Sequence, residues 1–203
     1  MKKVAPFMIL LVALLGLTGC GDLGSFTGSL EVGDEGPAGG TIVYVDSQDE
    51  HDWDYIEVAP VDVTFPASPA RENENRASWG LQDQIGDLPR DIGSGLANTE
   101  RIMEVTAAQR SDLSRYAARL AREFEHGGSN DWFLPSAGEL EQVYAAISDN
   151  GTFSPQSYWT SSEVNSVRAF VVGFGSPRGT AGEINKSSDA RIRAVRYVRE
   201  SDL

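Results

Sequence analysis

The sequence predicts an α+β domain, because strand-like segments lie at both ends, helical periodicity lies between them, and nothing alternates strand with helix as a parallel sheet requires. The β signal is clearest in Thr41–Val45, rich in β-branched residues, and in Ala190–Val198. The helical signal is clearest at Leu113, Tyr116, Ala117, Leu120, Ala121 and Phe124, which recur at i, i+3, i+4, i+7, i+8 and i+11. There is no internal repeat.

Ahead of the domain, Lys2 and Lys3 precede an apolar run from Val4 to Leu17 that ends in Leu17-Thr18-Gly19-Cys20. A basic start, a short apolar stretch and small residues before a cut site describe an export signal. The run is too short for a comfortable membrane span, which needs about 20 residues. Cys20 is the chain's sole cysteine, and a cysteine closing Leu-Thr-Gly resembles the bacterial lipobox. That resemblance implies a signal peptide over 1–19, cleavage before Cys20, and acylation of Cys20 with diacylglycerol and a chain such as palmitate. Each buried methylene contributes about 0.8 kcal/mol, so two or three chains anchor a protein where one is marginal. The expected location is the cell envelope outside the cytoplasm, at the outer membrane or cell surface, with the bilayer as partner. No thiol is then left for a disulfide, and the fold rests on its apolar core.

Residues 20–35, rich in Gly, Ser and acid, read as an acylated tether, and 36–200 as the domain. Gly36-Pro37-Ala38-Gly39-Gly40 is a turn into the first strand. The acidic run from Asp46 to Asp54 reads as a solvated turn before a second strand at Trp53–Val58. Residues 60–75, with three prolines, read as a loop. A short helix is expected near Asn98 or Thr99. Next comes the helix marked by the Leu113–Phe124 stripe, closed by Gly127-Gly128. A further helix opens at Ser136, whose hydroxyl caps the first turn while Glu139 reaches back. Its buried face is Leu140, Val143, Tyr144 and Ile147, and Asn150-Gly151 ends it. Tyr158–Thr160, Val167–Phe174 and Ala190–Val198 read as strands, with turn chemistry over 175–182. In the last, Ile192, Ala194, Arg196 and Val198 share one face while Arg191, Arg193, Val195 and Tyr197 share the other.

These segments carry a wider resemblance. Gly36–Gly40 into a strand, Tyr55–Pro60, Ile92–Thr99, Asp131–Ser136 with Glu139-Leu140, Tyr158–Glu163 and Ile192–Arg196 occur in the order of a bacterial domain of unknown function. That domain closes the Legionella collagen-like adhesins. The resemblance implies a fold similar to C-type lectins and to the formylglycine-generating sulfatase-modifying proteins: a mixed or antiparallel sheet in which the termini pair, two to three helices, and an irregular region bearing ligand contacts.

Composition narrows the chemistry. Formylglycine generation needs a pair of active-site cysteines, which a chain with one lipidated cysteine lacks. No Gly-x-Ser-x-Gly elbow occurs, and the two histidines, His51 and His126, sit at no ligand spacing. The chain is therefore expected to be non-catalytic. A net charge of −13 disfavours nucleic acid as a partner. Calcium and other cofactors are not expected: the Glu-Pro-Asn, Gln-Pro-Asp and Trp-Asn-Asp triplets of calcium-dependent lectins are missing, and the acidic run lacks the periodicity of a calcium loop. The expected function is a displayed binding or adhesion domain whose ligand is a saccharide or an envelope or host protein. The alternative is an envelope scaffold without a soluble ligand. Ligand contacts are expected between Glu163 and Ser188, with Asn165, Arg168, Arg178 and Lys186 as donors and Trp159 and Glu163 at the edge. Trp132 is expected in the core, and Arg193 and Arg196 are expected to pair within the sheet.

Overall fold

In the computed structural model, residues 29–65, 75–109, 115–148, 151–175 and 179–203 are described. The expected signal peptide, Cys20 and Arg178 lie outside them. The architecture is α+β, with two sheets and three helices. Strands β1 (Thr41–Val45) and β2 (Tyr55–Val58) pair antiparallel, and β2 pairs antiparallel with the last strand, β8 (Val195–Val198), so both ends of the domain share one sheet. The second sheet has the order β3-β7-β4-β5-β6, formed by Arg76–Ala77, Ala190–Arg191, Ser157–Glu163, Arg168–Gly173 and Ala181–Asn185. Helices α1 (Gly95–Gln109), α2 (Ala117–Arg122) and α3 (Ala137–Ile147) lie between β3 and β4 in the chain. No helix among the described residues is long and apolar enough to cross a membrane.

Helix α3 follows its sequence signal closely. The Ser136 side chain accepts from the Glu139 N–H, the Glu139 carboxylate accepts from the Ser136 N–H, and Leu140, Val143 and Ile147 are buried. Tyr144 is only partly buried. Trp132 is fully buried, as expected, beside Trp79, Leu134, Ile102 and Trp159. Phe133, on the opposite side of the chain, enters a second cluster with Ile56, Leu140, Val143, Tyr158 and Val195. Adjacent aromatics thus load both halves of the core, and two backbone bonds between Phe133 and Val195 hold them to β8.

Four expectations need correction. Residues 30–35 are not all tether: Leu30 is buried against Ile42, Tyr55 and Val198, and the Gly33 N–H donates to Ile42 O at 2.9 Å. The stripe from Leu113 to Phe124 overstates its helix, since Tyr116 is extended (φ −142°, ψ 158°) and α2 begins after it. The helix expected near Asn98 is instead the longest among the described residues. Its buried face is Gly95, Asn98, Thr99, Ile102 and Thr106, so apolar periodicity could not reveal it. Two of its polar side chains are satisfied by other segments: Asn98 donates to Pro89 O, and Thr99 both donates to Leu134 O and accepts from the Leu134 N–H. Finally, 190–198 is two strands in different sheets, and the crossing residues bond the 59–63 segment through Ala59 N–H to Ala194 O and Val63 N–H to Ile192 O.

Candidate functional site

Of the charged residues in the framework motifs, Glu57, Glu139, Glu163, Arg193 and Arg196 are turned inward, where they organise loops. Glu57 on β2 is fully buried and accepts from the Gly40 N–H at 2.7 Å, the Ala38 N–H at 3.1 Å and Arg196 Nη1 at 3.0 Å. A Cβ on Gly40 would stand 2.2 Å from Val58 O, so the turn can wrap this carboxylate only with glycine there. Arg196 also forms a two-pronged bond with Asp131 at 2.8 and 2.9 Å. On the other side, Asp62 joins Arg191 and Arg193, whose guanidinium lies over Phe153. The expectation that Arg193 and Arg196 pair within the scaffold agrees with this geometry.

Glu139 does more than cap α3. Its Oε1 accepts from the Gly93 N–H at 2.9 Å, the Gly95 N–H at 3.3 Å and the Tyr197 hydroxyl at 2.6 Å, while Oε2 takes the Ser136 N–H at 2.8 Å. Burial pushes its carboxyl above the ordinary value, and these donors pull the other way. Burial, then the Glu139 charge, raises the Tyr197 phenol far above its usual range.

The residues expected to hold a ligand do not meet on one accessible surface. Trp159 is fully buried and its Nε1 donates to Ala77 O at 2.7 Å, so it offers no face to a ligand. The Glu163 and Lys186 side chains are buried and bonded to each other. Glu163 also accepts from the Ile85 and Gly86 N–H groups, and Lys186 donates to Asp83 O and lies 4.5 Å from the Trp79 ring centre. Burial draws the Lys186 ammonium below its ordinary value against the opposing pull of Glu163. This pair pins the 83–86 loop. Asn165 is exposed, but its Oδ1 accepts from the Val167 and Arg168 N–H groups and shapes the β4–β5 turn. Arg168 is exposed and faces Glu183 across β5 and β6 at 3.5 Å. The described part of the 163–188 stretch is thus largely the antiparallel β5–β6 pair.

A built recess lies elsewhere, where the β1–β2 loop meets the start of α1 and β8. It encloses about 380 Å³ between Trp53, Gly93, Leu96, Ala97, Phe133 and Tyr197, with Asp52, Glu100, Asp131 and Arg199 around its mouth. Trp53 stacks on Tyr197 at 4.4 Å, Phe133 is tilted against Tyr197 at 4.6 Å, and His51 stacks on the other face of Trp53 at 4.3 Å. Gly93 sits under His51: a Cβ there would lie 2.7 Å from the imidazole Cε1, and its φ of +88° also favours glycine. Across this His51–Gly93 ridge is a shallower depression of about 630 Å³ lined by Tyr44, Glu50, Arg90, Asp91, Ile92 and Glu141. Sequence reasoning read 46–54 as a solvated turn. Its single sign was Trp53, a large aromatic within an acidic run, which marks a buried anchor there.

No family model matches the chain, and no curated protein does either. Its fold is similar to that of a solved fimbrial protein from Bacteroides ovatus. The TM-score is 0.53 at 14% sequence identity, over 82% of this chain and 48% of the other. The chain therefore spans about half the length of that protein, and the likeness concerns the fold.

Proposed function

We propose that the chain is an envelope lipoprotein, acylated at Cys20 and displayed outside the cytoplasm, whose domain binds a ligand without catalysis. The observation that carries this reading is a fold shared with a fimbrial protein over most of the chain, set behind a basic, apolar and Leu-Thr-Gly-Cys leader. The shared sheet of the two chain ends, with helices inserted between them, also supports a C-type-lectin-like arrangement akin to the adhesin-terminal domain that the motifs resemble. The buried carboxylates fit a binding scaffold, since each is occupied by backbone N–H groups, arginine or lysine and so is unavailable for proton transfer.

Cell fractionation of wild type and Cys20→Ser, with mass analysis of the amino terminus, tests the anchor. Wild type is expected in membranes, cut before Cys20 and carrying acyl mass, and Cys20→Ser is expected to be soluble or uncut. Membrane retention of an acylated Cys20→Ser chain would refute the lipobox.

A further inference from the structure

The recess has an apolar wall and an acidic rim, and its chemistry selects among ligand classes. A sugar stacks on an exposed aromatic face, but both faces of the Trp53 indole are covered, one by His51 and the other by Tyr197. Only 5% of Trp53 is exposed, so it offers an edge. What the wall supplies is an apolar recess of about 380 Å³ beside Leu96 and Ala97 at the start of α1, a volume that accommodates an aliphatic stem.

The rim supplies negative charge. Glu100 is exposed and makes no ion pair or hydrogen bond of its side chain among the described residues. Asp131 is bonded to Arg196 from the inner side, yet its side chain remains 48% exposed. Arg199, the sole cation at the mouth among the described residues, is committed to Asp52, with bonds to its carbonyl at 2.8 Å and its carboxylate at 3.0 Å. Over the ridge, Glu50, Asp91 and Glu141 face Arg90, which is bonded to Glu141. Among the described residues, then, six carboxylates line the two depressions against Arg90 and Arg199, with Arg196 behind Asp131. Lysine and arginine match such a place, with a stem that packs on apolar surface and a head that seeks carboxylates.

The slot is also held in shape before any ligand arrives. Glu139 fixes Gly93, Gly95 and Tyr197 from beneath, so little ordering cost attends binding. Two depressions on either side of one ridge suit an extended segment with basic side chains on both sides of His51.

We propose that this acidic-rimmed recess docks a basic segment of a partner protein, one arginine or lysine entering the slot beside Leu96 and Ala97 with its charge at Glu100 and Asp131. This rests on the binding-domain reading above and names its ligand class.

The test uses the full chain in detergent micelles and a fluorescein-labelled peptide of alternating arginine and glycine, with fluorescence anisotropy as readout. The same peptide with citrulline for arginine removes charge at constant shape. Saturable binding is expected for the arginine peptide, with at least tenfold weaker binding of the citrulline peptide. Glu100→Arg is expected to raise Kd at least tenfold. Glu125→Arg, on a separate depression beside Phe65, should shift Kd less than threefold. Ala97→Trp fills the slot at an exposed helix position without changing charge, and should weaken binding at an unchanged melting temperature.

Equal weakening by Glu100→Arg and Glu125→Arg would mean general charge attraction and overturn the assignment. Absence of saturable binding would overturn it as well, as would capture of a neutral oligosaccharide that Ala97→Trp abolishes. Membrane anchoring is read separately by the Cys20→Ser fractionation, so an anchored chain that ignores the peptide fails this inference alone.

Discussion

Replacing Glu139 by alanine tests how the framework builds the recess. The carboxylate receives three backbone N–H groups, from Gly93, Gly95 and Ser136, and one phenol hydroxyl, from Tyr197. Loss of a helix cap costs about 1 kcal/mol, and each buried donor left without a partner costs about 1–3 kcal/mol. Against this stands the recovered cost of burying a charge, which the raised carboxyl pKa signals. The net expectation is a loss of about 3–5 kcal/mol from the lost cap and the unpaired donors, out of the 5–15 kcal/mol typical of a domain. Glu139→Gln keeps the volume and an acceptor oxygen but turns an NH₂ group toward a donor, so about 1–3 kcal/mol is expected. Urea unfolding followed by tryptophan fluorescence measures both, as a fall in midpoint at constant slope. Gly93 and Tyr197 line the recess, so Glu139→Ala should also loosen it. A loss below 1 kcal/mol for Glu139→Ala would mean that the four donors find other partners and that Glu139 does not organise this region.

Two other outcomes are expected. Trp132→Ala should cost about 3–5 kcal/mol as a large fully buried aromatic, whereas Trp132→Phe should cost far less, because the indole Nε1 is buried without a hydrogen-bond partner; equal losses in urea unfolding would contradict this. Burial and the neighbouring Glu139 charge raise the Tyr197 phenol, so the unfolded chain releases that proton first and stability falls as pH rises above about 10, by up to about 1.4 kcal/mol per pH unit for one tyrosine. Tyr197→Phe should flatten the alkaline limb of a stability–pH profile, and an unchanged limb would assign that slope to other groups.

Elements were legible in the sequence where one physical signal acted alone. The capping box at Ser136 and Glu139 is local chemistry, and it marked the start of α3 correctly. The Thr41–Val45 strand and the burial of Trp132 were legible for the same reason. Helix α1 was underestimated because its inner face carries the polar residues Asn98, Thr99 and Thr106, and the partners of Asn98 and Thr99 come from other segments. Strand β6, Ala-Gly-Glu-Ile-Asn, is an edge strand with little buried surface and so shows no alternation.

The site was harder to read. Lys186 and Glu163 look like surface charges until the fold buries them together, and Trp159 looks half available until β3 and its flanking residues cover it. Charge in a sequence carries no sign of which side of the core it will face. The recess is assembled from 52–53, 93–100, 131–133 and 197–199, segments that only the tertiary fold brings together.

Binding by the full chain is the most direct test of the proposed role. Detergent-solubilised protein, with and without a calcium chelator, would be presented to an array of glycans and to separated envelope proteins, and saturation measured for each hit. A displayed binding domain predicts at least one saturable partner that persists under chelation and is lost in a recess variant such as Glu100→Arg. Saturable binding to none of them, or binding untouched by every recess variant, would contradict it.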